Sequence, residues 1–292
     1  MAYQHVLYEK KESFAILTLN RPGRLNAIGP QMMREIMSAL EEADSDDQVR
    51  VVIITGAGCC FSAGADFSPD IPSTRRAGAG REPQTLKWWT LYTLRRCRTI
   101  YFTIRDLSKP VIAAVHGYCL GAAFELAQAC DMLVAADDAE FGAPEVRHGS
   151  ILATALPFHV GVQKAKEMYL TGDRINAIEA RRLGLVIHVV PTDKLQQEVF
   201  KLARRISRVP GEAVFFNKLQ INIMLDDMGY MAGMRHASLV DAMCHYIVPE
   251  TVTAFGVRLS ELQQREGVEA YLKAREAPFP DDEKPFKDYD LT

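Results

Sequence analysis

The 292-residue sequence lacks the features of several protein classes. No apolar run approaches the ~20 residues that a membrane-spanning helix needs, and no charged N-terminal segment precedes an apolar stretch as in a secretory signal. The formal net charge is only -3, so no strong field attracts nucleic acid or an anionic membrane. These absences predict a cytoplasmic protein that binds neither nucleic acid nor membranes.

Cysteine is also sparse and scattered. The six cysteines stand at positions 59, 60, 97, 119, 130 and 244, and no two of them form a Cys-x-x-Cys pair. This spacing excludes the usual zinc-finger and thioredoxin-like motifs. It predicts reduced thiols and no metal site.

Short apolar segments alternate with helical patterns through the first two thirds of the chain. Apolar runs at residues 14–19, 51–55, 111–115 and 132–136 predict strands, and helical spacing follows from residue 30, over 84–107 and after Gly121. Residues 68–83, rich in Pro, Gly, Ser and Arg, predict a loop. This alternation predicts an α/β class with a core over residues 1–200. Residues 201–292 are predicted to be helical, with an extended tail from residue 277.

Two of the predicted strands end in the same way, in glycine and other small residues. The strand at residues 51–55 leads to Ala63-Gly64-Ala65-Asp66, and the strand at residues 111–115 leads to Gly121-Ala122-Ala123. Glycine and alanine let a ligand approach the backbone, and a helix start leaves N–H groups unpaired. Two such N–H groups aimed at one point would form an oxyanion hole. Tight turns that need small residues only for packing give the same pattern, and spacing alone leaves both readings open.

Two glutamates accompany these turns. Glu125 lies one helical turn after Ala122 among apolar neighbours, where burial would raise its pKa and suit it to proton transfer. Glu145 lies between Pro144 and Val146 in a segment that contains glycine and proline, which indicates an irregular conformation. Both glutamates are therefore candidates for acid–base chemistry.

Six segments match, in order, motifs of the crotonase (enoyl-CoA hydratase/isomerase) family, which this chain resembles over roughly residues 5–225. They are Asn-Arg-Pro-x-x-x-Asn-Ala at residues 20–27, Phe-x-Ala-Gly-Ala-Asp at 61–66, Gly-Tyr-x-x-Gly-x-x-x-Glu-Leu-Ala-x-x-Cys-Asp at 117–131, Phe-Gly-x-Pro-Glu at 141–145, Leu-Thr-Gly at 170–172 and Ala-x-x-x-Gly-Leu-Val at 180–186. The resemblance implies a crotonase-like spiral of ββα units with a C-terminal helical trimerisation region. It also implies a homotrimer or a dimer of trimers.

The resemblance further implies an acyl-CoA enzyme of fatty acid metabolism that needs no cofactor beyond the coenzyme A of its substrate. Backbone N–H groups of Ala65 and Ala122 would form the oxyanion hole, and Glu125 and Glu145 would be catalytic. Glu125 would deprotonate the water that attacks Cβ, while Glu145 would exchange the proton at Cα. The residues expected to bind coenzyme A are Arg24, Ala27, Ala63, Asp66 and Lys218.

Hydration of an enoyl-CoA is the leading prediction because family members that keep both glutamates are commonly hydratases. After Glu145 the chain departs from the family, which usually has a glycine pair that is missing here. An isomerase, or a ring-opening hydrolase of a cyclic or branched acyl-CoA, is therefore an alternative, as is a non-catalytic or RNA-binding relative. The dienoyl isomerases of the family have an aspartate at the position of Ala153, and its absence argues against a dienoyl isomerase. The predicted substrate pocket comprises Phe67, Trp89, His148 and Leu152.

Overall fold

Two β-sheets and ten helices make up the computed structural model, which describes residues 3–67, 85–151, 155–247 and 256–280. The larger sheet has the strand order β1-β2-β3-β4-β6-β9, numbered along the chain, and the smaller has the order β5-β7-β8. The strands are β1 (Val6–Lys11), β2 (Phe14–Leu19), β3 (Val51–Gly56), β4 (Val111–Val115), β5 (Tyr118–Leu120), β6 (Met132–Ala136), β7 (Glu140–Gly142), β8 (Arg174–Asn176) and β9 (His188–Val190). The predicted loop at 68–83, Leu152 and most of the predicted tail lie outside the described residues.

The helices pack around the two sheets and continue beyond them. They are α1 (Pro30–Ser45), α2 (Leu86–Asp106), α3 (Ala122–Ala129), α4 (Leu156–Val160), α5 (Val162–Thr171), α6 (Ala177–Arg182), α7 (Leu195–Ser207), α8 (Gly211–Asp227), α9 (Tyr230–Ile247) and α10 (Leu259–Glu276). Along the chain, β4, β5 and α3 form one ββα unit, and β6 and β7 begin the next. The chain thus forms the predicted spiral of ββα units. None of the helices in the described ranges is long and apolar enough to cross a membrane.

The central strands of the larger sheet, β2, β3, β4 and β6, are buried on both faces, which explains their continuous apolar sequences. β2 pairs in parallel with β3, β3 with β4 and β4 with β6, whereas β1 pairs antiparallel with β2. One face contributes to a core with α1 and α3, and the other packs under α7. Parallel strands end at one common edge, so the turns after β3 and β4 are brought side by side.

The predicted division of the chain at residue 200 falls within a helix. The predicted boundary after residue 200 lies inside α7, whose buried side chains Leu195, Val199 and Ala203 pack on the larger sheet. α7 thus packs with the body, and the division of the chain into two domains stays a prediction. In the helical region α9 packs along α2, so the two parts of the chain share an interface.

Candidate active site

The turn that follows β2 is built around one buried asparagine. Asn26 has a left-handed backbone (φ 53°) and a fully buried side chain. Its Nδ2 donates to the carbonyl oxygens of Ala57 (2.7 Å) and Cys60 (2.9 Å), and its Oδ1 accepts from the amide of Arg21 (2.9 Å). Because the bonds to Ala57 and Cys60 join residues more than 30 positions apart, they bring the turn after β2 against the loop after β3.

The amide of Ala65 points away from the neighbouring chain segment. Ile28 and Ala65 form a parallel bridge, in which the Ile28 amide donates to the Gly64 carbonyl (2.7 Å) and the Asp66 amide donates to the Ile28 carbonyl (3.1 Å). In such a bridge the N–H of the central residue faces the opposite side. The Ala65 N–H is therefore directed toward the other strand end, that of β4 and β5.

The amide of Ala122 lies at the start of α3. As the first residue of that helix, Ala122 has no acceptor for its N–H within the helix, and the positive end of the helix dipole lies there. The preceding Gly121 has φ 56° and ψ -125°, a conformation open only to glycine. Its own amide donates to the Gly142 carbonyl (3.0 Å), which ties the start of α3 to β7.

The two amides are close neighbours. An ideal Cβ placed on Gly64 would lie 3.3 Å from the Ala122 nitrogen. Standard bond lengths then limit the distance between the Ala65 and Ala122 nitrogens to at most about 7 Å. Two donors that share one oxygen atom lie up to about 6 Å apart, so this placement is compatible with a convergent pair.

The carboxylate of Glu145 lies against the start of α3. Glu145 belongs to a 3₁₀ turn (Pro144–His148) and is 8% exposed. A Cβ on Gly121 would collide with Glu145 Oε1, so only glycine leaves room for the carboxylate there. Glu145 therefore sits beside Gly121, the residue that precedes the Ala122 amide.

The second carboxylate, Glu125, is buried on α3, and Tyr169 of α5 is near enough to both acids for their charges to affect its phenol. Burial, and next the charges of Glu125 and Glu145, raise the pKa of the Tyr169 phenol well above its usual range. Two carboxylates and a phenol thus share one region of low polarity. No pattern in the sequence indicates Tyr169, because an aromatic residue on a helix face is typical of core packing and nothing in its spacing points to an acid nearby.

Of the residues predicted to bind coenzyme A, four lie on the two joined loops. The Ala63 amide donates to the Leu25 carbonyl (2.9 Å), and Arg21 Nη1 bonds both the Ala27 carbonyl (2.8 Å) and Asp66 Oδ2 (2.5 Å). Arg24 is exposed on the same turn. Arg21, which the sequence analysis did not single out, therefore fixes the shape of this surface.

Lys218 does not fit its predicted role. Its ammonium is buried and donates to the carbonyls of Ile104 (2.9 Å) and Lys109 (3.0 Å) and to Asp131 Oδ2 (2.9 Å). An ammonium has three protons, and these three bonds use all of them. Lys218 therefore holds α8 to the end of α2 and the start of β6, and coenzyme A binding by this residue is not supported.

The predicted substrate-pocket residues separate into two places. Phe67 and His148 are in ring contact, with centroids 6.0 Å apart, beside the Ala65 loop and the Glu145 turn. Trp89 is buried between α2 and α9, with its ring 4.6 Å from that of His245. A substrate contact by Trp89 stays a prediction.

The chain is similar to one protein family along most of its length. The family model described as enoyl-CoA hydratase/isomerase matches residues 9–282. A crotonyl-CoA hydratase of Syntrophomonas wolfei is 36% identical over 284 residues, which cover 96% of this chain and 99% of that protein. A probable enoyl-CoA hydratase of Mycobacterium bovis is 38% identical over 226 residues, or 76% of this chain and 82% of that protein.

Solved structures show the same similarity. The crystal structure of an enoyl-CoA hydratase/isomerase from Xanthobacter autotrophicus Py2 superimposes with a TM-score of 0.84 at 34% identity. The match covers 96% of this chain and 100% of that one. The spiral of ββα units predicted from the motifs is thus the fold of these proteins as well.

Proposed function

The chain belongs to the enoyl-CoA hydratase/isomerase family, and from this premise we propose that it adds water across the 2,3-double bond of an enoyl-CoA thioester. The observation that carries the proposal is the meeting of three groups at the start of α3. They are the Ala122 amide, the neighbouring Ala65 amide and the carboxylate of Glu145. A reaction that develops negative charge on a carbonyl oxygen and moves a proton at the adjacent carbon uses these groups together.

The two amides would stabilise the thioester oxygen. As hydroxide adds to Cβ, electrons move toward the carbonyl and give it enolate character. Ala65 and Ala122 would donate hydrogen bonds to that oxygen, with the dipole of α3 behind one of them. The loss of one such donor costs about 3–4 kcal/mol of transition-state stabilisation in comparable enzymes.

The two glutamates would divide the proton transfers. Glu125 would take a proton from water as its oxygen bonds to Cβ, and the protonated carboxyl group of Glu145 would supply the proton that Cα receives. Return of one proton from Glu125 to Glu145 would restore both groups for the next turnover. The product keeps its thioester, and the atoms of one water are added. Side chains and main-chain amides suffice for these steps, so the only cofactor-like group needed is the coenzyme A carried by the substrate.

We also infer that the protein assembles as a homotrimer or a dimer of trimers through its C-terminal helices. Large apolar side chains are exposed along α9 at positions 239, 240, 243, 246 and 247, a spacing that places them on one face. Phe216, Ile221 and Met224 of α8 are exposed as well. A patch of this kind on a helix pair indicates a protein–protein contact. A cytoplasmic location stays a prediction from the sequence.

Replacement of Glu145 by glutamine tests the proposed chemistry. We expect kcat for hydration of crotonyl-CoA to fall at least 100-fold, because an amide cannot exchange the proton at Cα. The melting temperature should change little, since the amide fills the same space. Glu140→Gln, a change of the same type at a partly exposed ion pair with Arg174, should keep full activity.

The product identifies the reaction. Formation of the 3-hydroxyacyl-CoA supports hydration, whereas a shifted double bond would indicate an isomerase. Full turnover by Glu145→Gln would contradict the role assigned to that residue, and no turnover of any enoyl-CoA by the unaltered protein would contradict the proposed function.

A further inference from the structure

Three aromatic rings from distant parts of the chain meet beside the candidate site. The ring centroids of Phe67 and His148 lie 6.0 Å apart, those of Phe67 and Tyr271 5.7 Å, and those of His148 and Tyr271 6.0 Å. His148 and Tyr271 are each only 4% exposed. We call Phe67, His148 and Tyr271 the ring cluster.

The ring cluster connects both halves of the catalytic apparatus. Phe67 follows Ala65 by two residues, so it extends directly from the loop with the first oxyanion amide. His148 follows Glu145 by three residues in one 3₁₀ turn, and side chains three apart in such a turn lie on the same face. The cluster therefore stands on the Glu145 side of the reaction centre.

Tyr271 is the member that the C-terminal helix α10 supplies, and α10 is anchored on both sides of it. Toward the N-terminal side, Gln263 Nε2 donates to the Phe67 carbonyl (3.3 Å). Toward the C-terminal side, Arg147 Nη1 bonds Glu276 Oε2 (2.5 Å). Arg147 also bonds Asp173 Oδ1 (2.7 Å), and its guanidinium lies 4.3 Å from the Phe279 ring centroid. The backbone of α10 is non-helical at Gly267 (φ 88°, ψ -176°), so the Arg147–Glu276 contact anchors the part of α10 that carries Tyr271, and the Gln263 contact anchors the part before Gly267.

We propose that Tyr271 determines the acyl-chain length of the substrate by closing, with Phe67 and His148, the far end of the acyl pocket. The inference rests on the proposed function and narrows its substrate class to short enoyl-CoA thioesters. A 3₁₀ turn rises about 2 Å per residue, so the His148 side chain lies roughly 6 Å from that of Glu145 along the turn. Glu145 acts at Cα under the proposed mechanism.

The length of an acyl chain can be compared with this spacing. An extended chain advances about 1.2 Å per bond, so 6 Å corresponds to about five bonds beyond Cα. A four-carbon acyl group ends before the ring cluster, whereas a ten-carbon group reaches past it. Because the three rings are packed against each other and α10 is anchored, displacement of the cluster would break contacts that a short chain leaves intact.

Kinetics with a series of thioesters tests the inference. We would measure kcat/KM for trans-2-enoyl-CoA substrates of four, six and ten carbons with the unaltered protein, Tyr271→Ala, Tyr271→Leu and Tyr271→Phe. We expect the ratio of the ten-carbon to the four-carbon value to rise at least tenfold in Tyr271→Ala. Tyr271→Phe keeps the ring and should keep the original ratio. Tyr271→Leu retains most of the buried apolar surface and opens the pocket less than Tyr271→Ala does. It should therefore raise the ten-carbon to four-carbon ratio, but by less than Tyr271→Ala.

A matched control separates pocket shape from helix stability. Leu272, the next residue of α10, is 36% exposed, so Leu272→Ala perturbs the same helix away from the cluster and should leave the ratio unchanged. A merely structural role of Tyr271 would lower all kcat/KM values in parallel. An unchanged ratio in folded Tyr271→Ala and Tyr271→Leu, or equal use of four- and ten-carbon substrates by the unaltered protein, would overturn the inference. Absence of turnover with every thioester would overturn the proposed function itself, and this inference with it.

Discussion

Gly121 has no side chain and so leaves space for the Glu145 carboxylate against the backbone at the start of α3. Two independent constraints act on this residue, a positive φ of 56° and the lack of space for a Cβ beside Glu145 Oε1. Each constraint alone disfavours every other amino acid. The position therefore couples the conformation of one catalytic segment to the side-chain position in another.

Substitution of Gly121 by alanine should separate Glu145 from the Ala122 amide. We expect kcat to fall at least 100-fold, since the carboxylate must move away from the reacting carbons. The free energy of unfolding should fall by about 2 kcal/mol because of the strained backbone. Steady-state kinetics and urea unfolding measure the two effects.

Gly161 provides the matched control for this variant. It has φ 77° and ψ 162°, again open only to glycine, but a Cβ there would meet no atom within 4 Å. Gly161→Ala should therefore lose stability through strain and keep kcat within about threefold. Equal losses of kcat in the two variants would show that backbone strain, and not the position of Glu145, governs the activity.

At the scale of elements, the edge strand β1 is held to helix α1 by one carboxylate. Glu35 Oε2 accepts hydrogen bonds from the amides of Gln4 (3.0 Å), His5 (2.7 Å) and Val6 (3.1 Å). Burial raises the pKa of Glu35, but hydrogen bonds from the Gln31 side chain and from the amides of His5 and Gln4 outweigh it, and the pKa is lowered. The start of the larger sheet thus depends on an ionised side chain.

A lowered pKa in the folded state has a definite consequence for stability. The contribution of Glu35 is present in full above its unfolded pKa of about 4.5 and is lost as the pH falls through the lower folded value. Glu35→Gln should therefore reduce the free energy of unfolding by about 2 kcal/mol at pH 7. The difference from the unaltered protein should shrink below pH 4.5.

Urea unfolding of both proteins between pH 3.5 and pH 7 measures this difference. Glu41 lies on the same helix and is exposed, so Glu41→Gln should change the free energy of unfolding by less than about 0.5 kcal/mol at any pH. If the difference in free energy of unfolding between Glu35→Gln and the unaltered protein stays constant with pH, the charge of Glu35 does not contribute to the contact.

At the scale of the whole molecule, the exposed apolar stripe of α9 is the surface that the proposed assembly would bury. Met243 lies at its centre and is 52% exposed. In a symmetric assembly, Met243→Asp would place a charge in each copy of the interface without partners. We expect the trimer to dissociate, with the sedimentation coefficient falling toward that of a 32.6 kDa monomer.

A surface apolar residue elsewhere serves as the control for this variant. Ile178 of α6 is 64% exposed, and Ile178→Asp should leave the sedimentation coefficient unchanged. If the unaltered protein already sediments as a monomer, or if Met243→Asp keeps the larger size, the α9 stripe is not the assembly surface.

Much of the fold could be predicted from the sequence because the central strands of the larger sheet are buried on both faces. Such strands produce continuous apolar runs, as at residues 51–55 and 111–115, that are recognisable without a partner. The strands β5, β7 and β8 were not predicted, since each has three residues and no periodicity can develop over that length. Their existence depends on pairing with each other.

The sequence by itself determined the enzyme family and made Glu125 and Glu145 candidates for acid–base chemistry. The family could be recognised because its motifs are short and local in the chain. The small residues after two strands left an oxyanion hole and simple tight turns both open, so the assignment of the Ala65 and Ala122 amides rests on the family resemblance and stays a prediction. Only the tertiary structure decided that the Lys218 ammonium donates all three of its protons to Ile104, Lys109 and Asp131. It also brought Tyr169 to the two acids and Tyr271 to His148. Such contacts join residues 20 to more than 100 positions apart. They depend on how the side chains pack in three dimensions, and this packing leaves no periodic pattern in the sequence.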